Sequence, residues 1–339
     1  MIKFLIYTSI HFLINIIFLK YNFLIDRINT SEHKKKIFTD IKTPLAGGFV
    51  FIIIYPFIDP SQNYILLFFL LSLYFLGLMS DINYISSPKV RIILQTIFIL
   101  SFILISDLSI KSLSFQIFNE ILNYKIANIL FLLICLLVLV NGFNFLDGAN
   151  TLVVGNFIIC LLSIYYISDK NTLILDYKYI ETLLILLSVI YIFNFFGKSF
   201  LGDSGVYTLS FLIGVIFINF AYENYLSISP YFVACILWYP AIENLFSIIR
   251  RLTTNNKLSK ADSSHLHHLL YTFIKNKFRS KKNLFINTLT GFVINIYLIF
   301  SAFFAIMYFN NTKILLIIIF INLVTFLSVY FILSRFQKK

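Results

Sequence analysis

The sequence predicts an all-α, polytopic integral membrane protein with about eleven transmembrane helices and an active site on the cytoplasmic face. Of its 339 residues, 59% are hydrophobic and only 12% are charged. The mean hydropathy is +0.89. Apolar runs of membrane-spanning length recur along the chain, and a soluble protein of this size has too little interior to bury them. A single integral membrane domain over 1–339 is therefore expected.

Eleven apolar runs are predicted as spans, and the second is short for a helix that must cross a hydrocarbon core of about 30 Å. They are 2–20, 46–58, 64–79, 90–106, 127–140, 151–167, 180–196, 206–222, 231–249, 284–309 and 314–333. The sequence shows no internal repeat and no low-complexity linker. Cytoplasmic loops are predicted at about 20–45, 80–91, 141–150, 197–205 and 250–283.

The net charge of +12 at pH 7 resembles that of a nucleic-acid-binding protein, but its placement favours a topology signal. With the loop at 20–43 set on the cytoplasmic side, 21 of the 27 Lys and Arg residues fall on that side. The N-terminus is then outside and the C-terminus cytoplasmic. No nucleic acid is expected as a partner, and the remaining positive charge suits anionic lipid or an anionic substrate.

The most polar interruption of the apolar chain is the stretch 141–150, Asn-Gly-Phe-Asn-Phe-Leu-Asp-Gly-Ala-Asn. A carboxylate at the centre of a lipid-facing helix costs about 2.5–3.5 kcal/mol, so Asp147 is expected to mark either a loop or a site. Asn and Gly permit unusual backbone angles, and Asn offers amide donors and acceptors. Taken alone, the stretch is equally well explained as a turn that connects two helices.

Two further carboxylates lie on the same predicted face. Asp81 ends one span, and Lys89 and Arg91 begin the next. This combination suits a metal-and-phosphate site or, alternatively, a turn between two positively charged anchors. Asp203 follows Gly202 at the start of a span, where free backbone amides bind phosphate and a carboxylate can carry magnesium. The alternative there is a plain helix N-cap.

The longest basic loop holds three histidines within four residues, near two arginines: His265, His267 and His268 with Arg250 and Arg251. Zinc would need a fourth ligand, and no Cys or further His follows at a suitable distance. The cluster fits the binding of a diphosphate better. The leucines between the histidines also have the spacing of an amphipathic surface helix, which is the competing interpretation.

Three carboxylates from distant parts of the chain, Asp81, Asp147 and Asp203, are therefore expected to converge with the histidine loop on one face. Phosphoryl transfer requires a metal to neutralise a diphosphate, cations on the spread charge and in-line placement of the reacting groups. Mg²⁺ keeps several waters and takes only one or two protein carboxylates, so three acids are sufficient. The pattern predicts phosphoryl transfer.

Three stretches in this order, 141–150, Gly-Asp-Ser-Gly at 202–205 and His-Leu-His-His at 265–268, form a specific combination. They resemble the polyprenyl-phosphate N-acetylhexosamine-1-phosphate transferases, the WecA- and MraY-type enzymes of glycosyltransferase family 4. The similarity extends over 43–270, and the span count suits the WecA type. The segment 239–244, Tyr-Pro-Ala-Ile-Glu-Asn, is similar to the sugar-transferase branches of the family.

The resemblance implies transfer of an N-acetylhexosamine 1-phosphate from a UDP-sugar to undecaprenyl phosphate or another polyprenyl phosphate, with release of UMP. The product would start a lipid-linked cell-surface glycan such as O-antigen or a cell-wall polysaccharide. The implied cofactor is Mg²⁺, with Mn²⁺ as the alternative ion. The implied location is the bacterial inner membrane, the partners are the two substrates and membrane lipids, and a homodimer is compatible with the family.

The resemblance also implies roles for single residues. Asp203 and Asn144 would hold the metal, and Asp81 would lie near it or act as base for the lipid phosphate. Asp147 completes the expected catalytic set of three acids. Further residues would shape the nucleotide side or grip phosphate and sugar: Asn141, Asn144, Asn150, Gly202, Lys89, Arg250, Arg251, His265, His267 and His268.

The chain departs from the family pattern at two positions. Ser80 stands where an Asp is usual, and a hydroxyl forms hydrogen bonds but carries no charge at neutral pH. A phosphate monoester is largely ionised near pH 7, so a strong base is dispensable. Thr151 stands where Gly is common. The alternatives are a homologue that binds UDP-sugar and lipid phosphate without turnover and a membrane transporter, which the one-sided polar stretches disfavour.

Overall fold

The computed structural model of the protein describes residues 1–26, 42–59, 63–253, 264–278 and 281–338. Within these residues the chain is helical apart from a short 3₁₀ turn and one antiparallel pair of two-residue strands. The strands are β1 (Ile25–Asp26) and β2 (Thr43–Pro44). The helices are α1 (Ile2–Tyr21), α2 (Gly47–Ile54), α3 (Tyr64–Asp81), α4 (Pro88–Ser106), α5 (Gln116–Leu122), α6 (Lys125–Leu146), α7 (Leu152–Asn171), α8 (Tyr177–Phe195), α9 (Gly202–Glu223), α10 (Pro230–Ile236), α11 (Trp238–Thr253), α12 (Leu266–Lys277), α13 (Asn283–Met307) and α14 (Thr312–Lys338).

The predicted all-α, polytopic membrane fold is confirmed. In the part of the chain that the structure describes, nine helices are long and apolar enough to span a membrane: α1, α3, α4, α6, α7, α8, α9, α13 and α14. A tenth candidate is the pair α10 and α11, which meet at a bend of 71°. The predicted run 46–58 forms the short helix α2 and the turn Tyr55–Phe57, too short to cross the bilayer unaided.

Helix α9 lies at the centre of the bundle, and 83% of its most apolar 18-residue stretch is buried. It packs against α2, α3 and α6. The crossing with α3 is so close that a Cβ on Gly77 would lie 2.3 Å from Ser204 Cα. Small residues allow such close approach of membrane helices, and here they bring the end of α3 against the start of α9.

Two predicted span boundaries are corrected. The span predicted to end at residue 140 continues as helix α6 to Leu146, and Asn141 lies inside this helix with its Nδ2 donating to Leu137 O at 2.9 Å. The predicted span 231–249 is instead broken at Leu237. Pro240 lies in the first turn of α11, where its missing N–H leaves no intrahelical bond unmade, so a new helix starts there.

The segment before α2 is held against the segment before α9. Phe200 N–H donates to Pro44 O at 3.0 Å, and Gly47 N–H donates to Phe200 O at 2.9 Å. These bonds place the start of α2 beside the start of α9. The polar ends of α3, α4, α6 and α9 then meet at one end of the bundle, where the contacts below connect them.

Candidate active site

The carboxylate of Asp81 caps the central helix. It accepts hydrogen bonds from the backbone N–H groups of Asp203, at 2.8 Å, and Ser204, at 3.1 Å. N–H groups at a helix N-terminus lack partners within the helix, and negative charge is favourable there. Because Asp81 ends α3 and Asp203 lies in the first turn of α9, this contact fixes the two helix ends against each other.

Gly202 allows this approach. Its φ is +70°, in the left-handed region, and a Cβ at this position would lie 2.7 Å from Asp81 Oδ2. Any side chain would push the carboxylate off the end of the helix. Gly202 therefore holds the cap in place, and its predicted contact with substrate stays a prediction.

Asp203 is engaged by a cation and a hydroxyl. Arg91 Nη1 donates to Asp203 Oδ2 at 3.0 Å and to Ser80 Oγ at 2.7 Å. Ser80 Oγ donates in turn to the same oxygen of Asp203. The Arg91 and Asp203 side chains are 22% and 28% exposed, so the ion pair is partly shielded from water. We call Ser80, Asp81, Arg91 and Asp203 the acidic cluster.

The sequence placed Arg91 with Asp81 and Lys89 in a pattern that suits a metal-and-phosphate site, but it assigned Arg91 no role of its own. Pro88 starts α4, so Arg91 lies in the first turn of that helix. A positive charge is unfavourable at a helix N-terminus and needs a compensating partner nearby. Asp203 is that partner.

The acidic cluster fits a hard divalent cation by its donor chemistry. Asp81 and Asp203 bring two carboxylates together, and Arg91 offsets only one negative charge. Among the described residues, no three His, Cys, Asp or Glu side chains form a metal-binding group. Mg²⁺ requires only one or two carboxylates together with waters and substrate phosphates. A cation bound here would compete with Arg91 for the Asp203 carboxylate.

Helix α4 connects the acidic cluster to the asparagine stretch. Gln95 lies one turn beyond Arg91, and its Oε1 accepts a hydrogen bond of 2.9 Å from Asn141 Nδ2. Gln95 is fully buried and is a second residue that sequence reasoning missed. Lys89, which was predicted, is exposed on the first turn of α4, and its contact with phosphate stays a prediction.

The asparagine stretch ends α6. Asn144 lies in the last turn of the helix, and Asp147 is the half-buried residue that follows it. Asn144 Oδ1 is buried and has no hydrogen-bond partner in the part of the chain that the structure describes. A buried acceptor in this state costs about 1–3 kcal/mol, so a ligand that bonds to it gains correspondingly. The metal role of Asn144 and the catalytic role of Asp147 stay predictions.

Asn150 and Thr151 anchor the following turn to the bundle. Asn150 N–H donates to Asn287 Oδ1 at 3.0 Å, and its side chain donates to Thr288 Oγ1 at 3.4 Å. Thr151 has a φ of +70°, a conformation that a β-branched residue rarely adopts and that glycine adopts readily. This explains physically why Gly suits the position. The predicted contact of Asn150 with nucleotide stays a prediction.

A buried glutamate holds the first histidine. His265 is the N-cap residue of α12, and its Nδ1 lies 2.9 Å from Glu243 Oε1. The same carboxylate oxygen accepts the backbone N–H of Leu266 at 3.3 Å. We call Glu243, His265, His267 and His268 the histidine cluster. Asp262 and Ser263, which precede it, lie outside the described residues.

His267 lies against the asparagine stretch. It is fully buried, and neither of its ring nitrogens has a hydrogen-bond partner among the described residues. Burial, with added effects of His268 and His265, lowers the pKa of His267 well below 6.5, so its ring is neutral at pH 7. A Cβ on Gly148 would lie 2.5 Å from His267 Nε2. Gly148 thus lets the two predicted motifs meet.

The two arginines contact aromatic rings beside the histidine cluster. Arg250 Nη1 donates to Ser264 O at 2.6 Å and to Tyr330 OH at 2.9 Å, which holds the start of the histidine segment against α14. The Arg251 guanidinium lies 5.7 Å from the centre of the Phe145 ring. Their contacts with substrate stay predictions.

The structure thus places the predicted residues in two groups joined by α4 and α6. Asp81, Gly202 and Asp203 meet at the start of α9, whereas the three histidines meet against Gly148. The amphipathic helix that competed with the histidine cluster is also present, because Leu266 and Leu269 are buried on α12. The binding of a diphosphate by the histidines stays a prediction.

Comparison with known proteins shows similarity to one family. Residues 63–221 match the family model described as Glycosyl transferase family 4. This segment carries the acidic cluster and the asparagine stretch, and it ends before the histidine cluster.

Two curated relatives are similar over part of the chain. Over 135 residues the chain is 30% identical to the "Probable undecaprenyl-phosphate N-acetylglucosaminyl 1-phosphate transferase" of Bacillus subtilis, covering 39% of this chain and 37% of that protein. Over 166 residues it is 26% identical to the "Decaprenyl-phosphate N-acetylglucosaminephosphotransferase" of Mycolicibacterium smegmatis, covering 43% and 41%. The matches span less than half of each relative. The chain is thus similar to glycosyl transferase family 4 over residues 63–221, just under half of its length.

Proposed function

We propose that this chain transfers an N-acetylhexosamine 1-phosphate from a UDP-sugar to a polyprenyl phosphate such as undecaprenyl phosphate. An oxygen of the lipid phosphate forms a bond to the phosphorus that carries the sugar. The bond from that phosphorus to the UMP oxygen breaks, and UMP leaves with the electron pair. The names of both relatives support N-acetylglucosamine as the first sugar to test.

The observation that carries this proposal is the link, through α4 and α6, between the acidic cluster and buried polar atoms that lack partners. Among the described residues, His267 has two ring nitrogens without partners, and Asn144 has one amide oxygen. Such atoms are costly unless a ligand satisfies them. A sugar nucleotide supplies hydroxyl, amide and phosphate groups that can form these bonds.

The amphipathic helix α11 supports a lipid acceptor. Its apolar face is exposed through Leu245, Ile249 and Leu252, whereas Glu243 and Ser247 on the other face are buried. In a membrane protein an exposed apolar face contacts acyl chains, and Arg251 on the same helix supplies a positive charge. This arrangement suits an acceptor with an apolar tail and an anionic head.

Asp203 is the residue that would hold Mg²⁺, with Asp81 adding negative charge beside it. When bound, the ion would neutralise the diphosphate and stabilise the departing UMP. In the absence of a metal ion, Arg91 neutralises the Asp203 carboxylate through their ion pair. The cytoplasmic orientation and the bacterial inner membrane belong to the same proposal.

The test is UMP release by the purified protein with Mg²⁺, UDP-N-acetylglucosamine and undecaprenyl phosphate, compared with Asp203→Asn. We expect the variant to lose at least about 100-fold in rate, because a group that stabilises transition-state charge is removed. Asp107→Asn, at the far end of α4, is the matched control and should retain full rate. Undiminished UMP release by Asp203→Asn would refute the metal assignment.

A second candidate is a homologue that binds both substrates without turnover. The Arg91–Asp203 ion pair and Ser80 favour it, since both reduce the negative charge available to a metal. Isothermal titration with UDP-N-acetylglucosamine, carried out beside the UMP-release assay, distinguishes a transferase from a binder. Binding without UMP release across several UDP-sugars and lipid phosphates would support the binder.

A further inference from the structure

Glu243 is a buried acid that no step above uses. It is 0% exposed on α11 and lies beyond the segment that matches the family model. Burying a charged carboxylate is costly unless it is paired and hydrogen-bonded. The partners of Glu243 therefore indicate what it does.

Those partners belong to one short segment. Oε1 of Glu243 lies 2.9 Å from His265 Nδ1 and 3.3 Å from the N–H of Leu266. Oε2 is buried and has no hydrogen-bond partner within the described ranges. The polar contacts of this carboxylate are thus made by one oxygen, directed at the histidine that opens α12.

The contact bears on which ring nitrogen of His265 carries a proton. Glu243 Oε1 already accepts the N–H of Leu266, and a histidine nitrogen that donates to the same oxygen matches its acceptor role. A second partner that fixes one nitrogen of a histidine also fixes the tautomer and the ring orientation. Nε2 is then the ring atom left for a ligand.

We infer that Glu243 is a positioning residue that keeps the proton of His265 on Nδ1 and aims Nε2 at the diphosphate or sugar of the nucleotide. The part about substrate rests on the proposed function, whereas the tautomer does not. Ser247 is the competing candidate, because its Oγ lies 3.3 Å from the same Nδ1. Its contact is longer and its hydroxyl is uncharged, so the carboxylate is the stronger acceptor.

The first experiment reads the tautomer directly. The full-length protein is labelled with ¹⁵N-histidine in detergent micelles, and the signal of His265 is assigned by its loss in His265→Asn. In the wild type and in Glu243→Asp we expect shifts of a protonated Nδ1. In Glu243→Leu, which removes the acceptor, we expect Nε2 protonation to appear. An unchanged His265 signal in Glu243→Leu, or a larger change in Ser247→Ala, would overturn the inference.

The second experiment measures UMP release. We expect Glu243→Leu to lower kcat by about 10- to 100-fold, the range typical when the orienting partner of a histidine is removed. Glu243→Asp should recover most of the lost rate, because it restores the charged acceptor. Loss of kcat with normal thermal unfolding separates positioning from a folding defect. Equal rates in Glu243→Leu and wild type would overturn the role in transfer. If the wild type releases no UMP, the proposed function fails, and the NMR result still decides the tautomer.

Discussion

The acidic cluster and the histidine cluster lie at the same end of the bundle but satisfy their polar groups differently. In the acidic cluster, Asp81 is bonded to backbone N–H groups, and Asp203 is bonded to Arg91 and Ser80. In the histidine cluster, His267 has two buried nitrogens that find no partner among the residues that the structure describes. A ligand at the acidic end must displace an internal partner, whereas a ligand at His267 satisfies atoms that have none. We expect the acidic end to depend on helix packing and the histidine end to depend on ligand.

The largest effect should come from breaking the packing under the acidic cluster. Gly77→Ala places a Cβ 2.3 Å from the Ser204 backbone, and backbone cannot move aside as a side chain can. We expect it to lower the free energy of unfolding by about 1–3 kcal/mol and to stop UMP release by moving Asp81 away from α9. Thermal unfolding and UMP release measure the two effects.

Gly214→Ala is the matched control for that change. Its Cβ would meet the Leu136 side chain at 2.5 Å, and a leucine can shift its rotamer. It alters α9 itself, two turns or more from the acidic cluster. A loss of UMP release in Gly214→Ala as large as that in Gly77→Ala would show that the bundle, and not the contact between α3 and α9, controls activity.

His267 offers a change of intermediate size that depends on pH. Its pKa is lowered in the folded state, so below the unfolded value of 6.5 the unfolded chain binds a proton that the folded chain does not. Stability is therefore complete above about pH 6.5 and falls below it, by up to about 1.4 kcal/mol per pH unit. His267→Gln should flatten this part of a curve of thermal unfolding between pH 7.5 and 5.5. An identical curve in the variant would contradict the prediction.

Replacing Arg91 tests whether its positive charge stabilises the carboxylates of the acidic cluster when no metal is bound. Arg91→Gln leaves Asp81 and Asp203 without their cation, and a partly exposed ion pair of this kind is worth at most about 1 kcal/mol. We expect a lower unfolding temperature without metal and a larger increase on adding MgCl₂ than in the wild type. Lys89→Gln, on the same turn of α4 but exposed, should behave as the wild type. Equal responses to MgCl₂ in Arg91→Gln and wild type would argue against a metal at Asp203.

The sequence predicted the fold class, and it singled out candidate site residues, because both depend on local patterns. Long apolar runs indicate spans regardless of how they pack. Asp81, Asp203 and the histidines were found because polar residues are rare in such a chain. One span boundary was wrong because Asn141, a polar residue expected to follow the helix, lies inside α6, where its side chain bonds to Leu137 O and Gln95 Oε1.

The residues that were missed depend on contacts between distant parts of the chain. From the sequence, Arg91 could equally be a positive anchor beside the membrane, and only its ion pair with Asp203 assigns it to the acidic cluster. Gln95 lies in an apolar run, and only its bond to Asn141 gives it a place at the site. Glu243 was noticed as part of a motif, but its bond to His265 joins residues 22 positions apart. No spacing rule within one helix predicts such pairs.

Thr151, in the turn that follows the asparagine stretch, should give the smallest effect. Its positive φ costs about 1–3 kcal/mol, which glycine would remove at an entropic cost of about 0.5–1 kcal/mol. Its hydroxyl donates to Asn150 O, and losing that bond offsets a further part of the gain. We expect Thr151→Gly to raise the free energy of unfolding by about 1 kcal/mol or less. Thr151→Val keeps the strain and loses the bond, so it should lower stability. If Thr151→Gly were less stable than Thr151→Val, the positive φ would carry no strain. The native threonine would then be favoured only by its hydrogen bond.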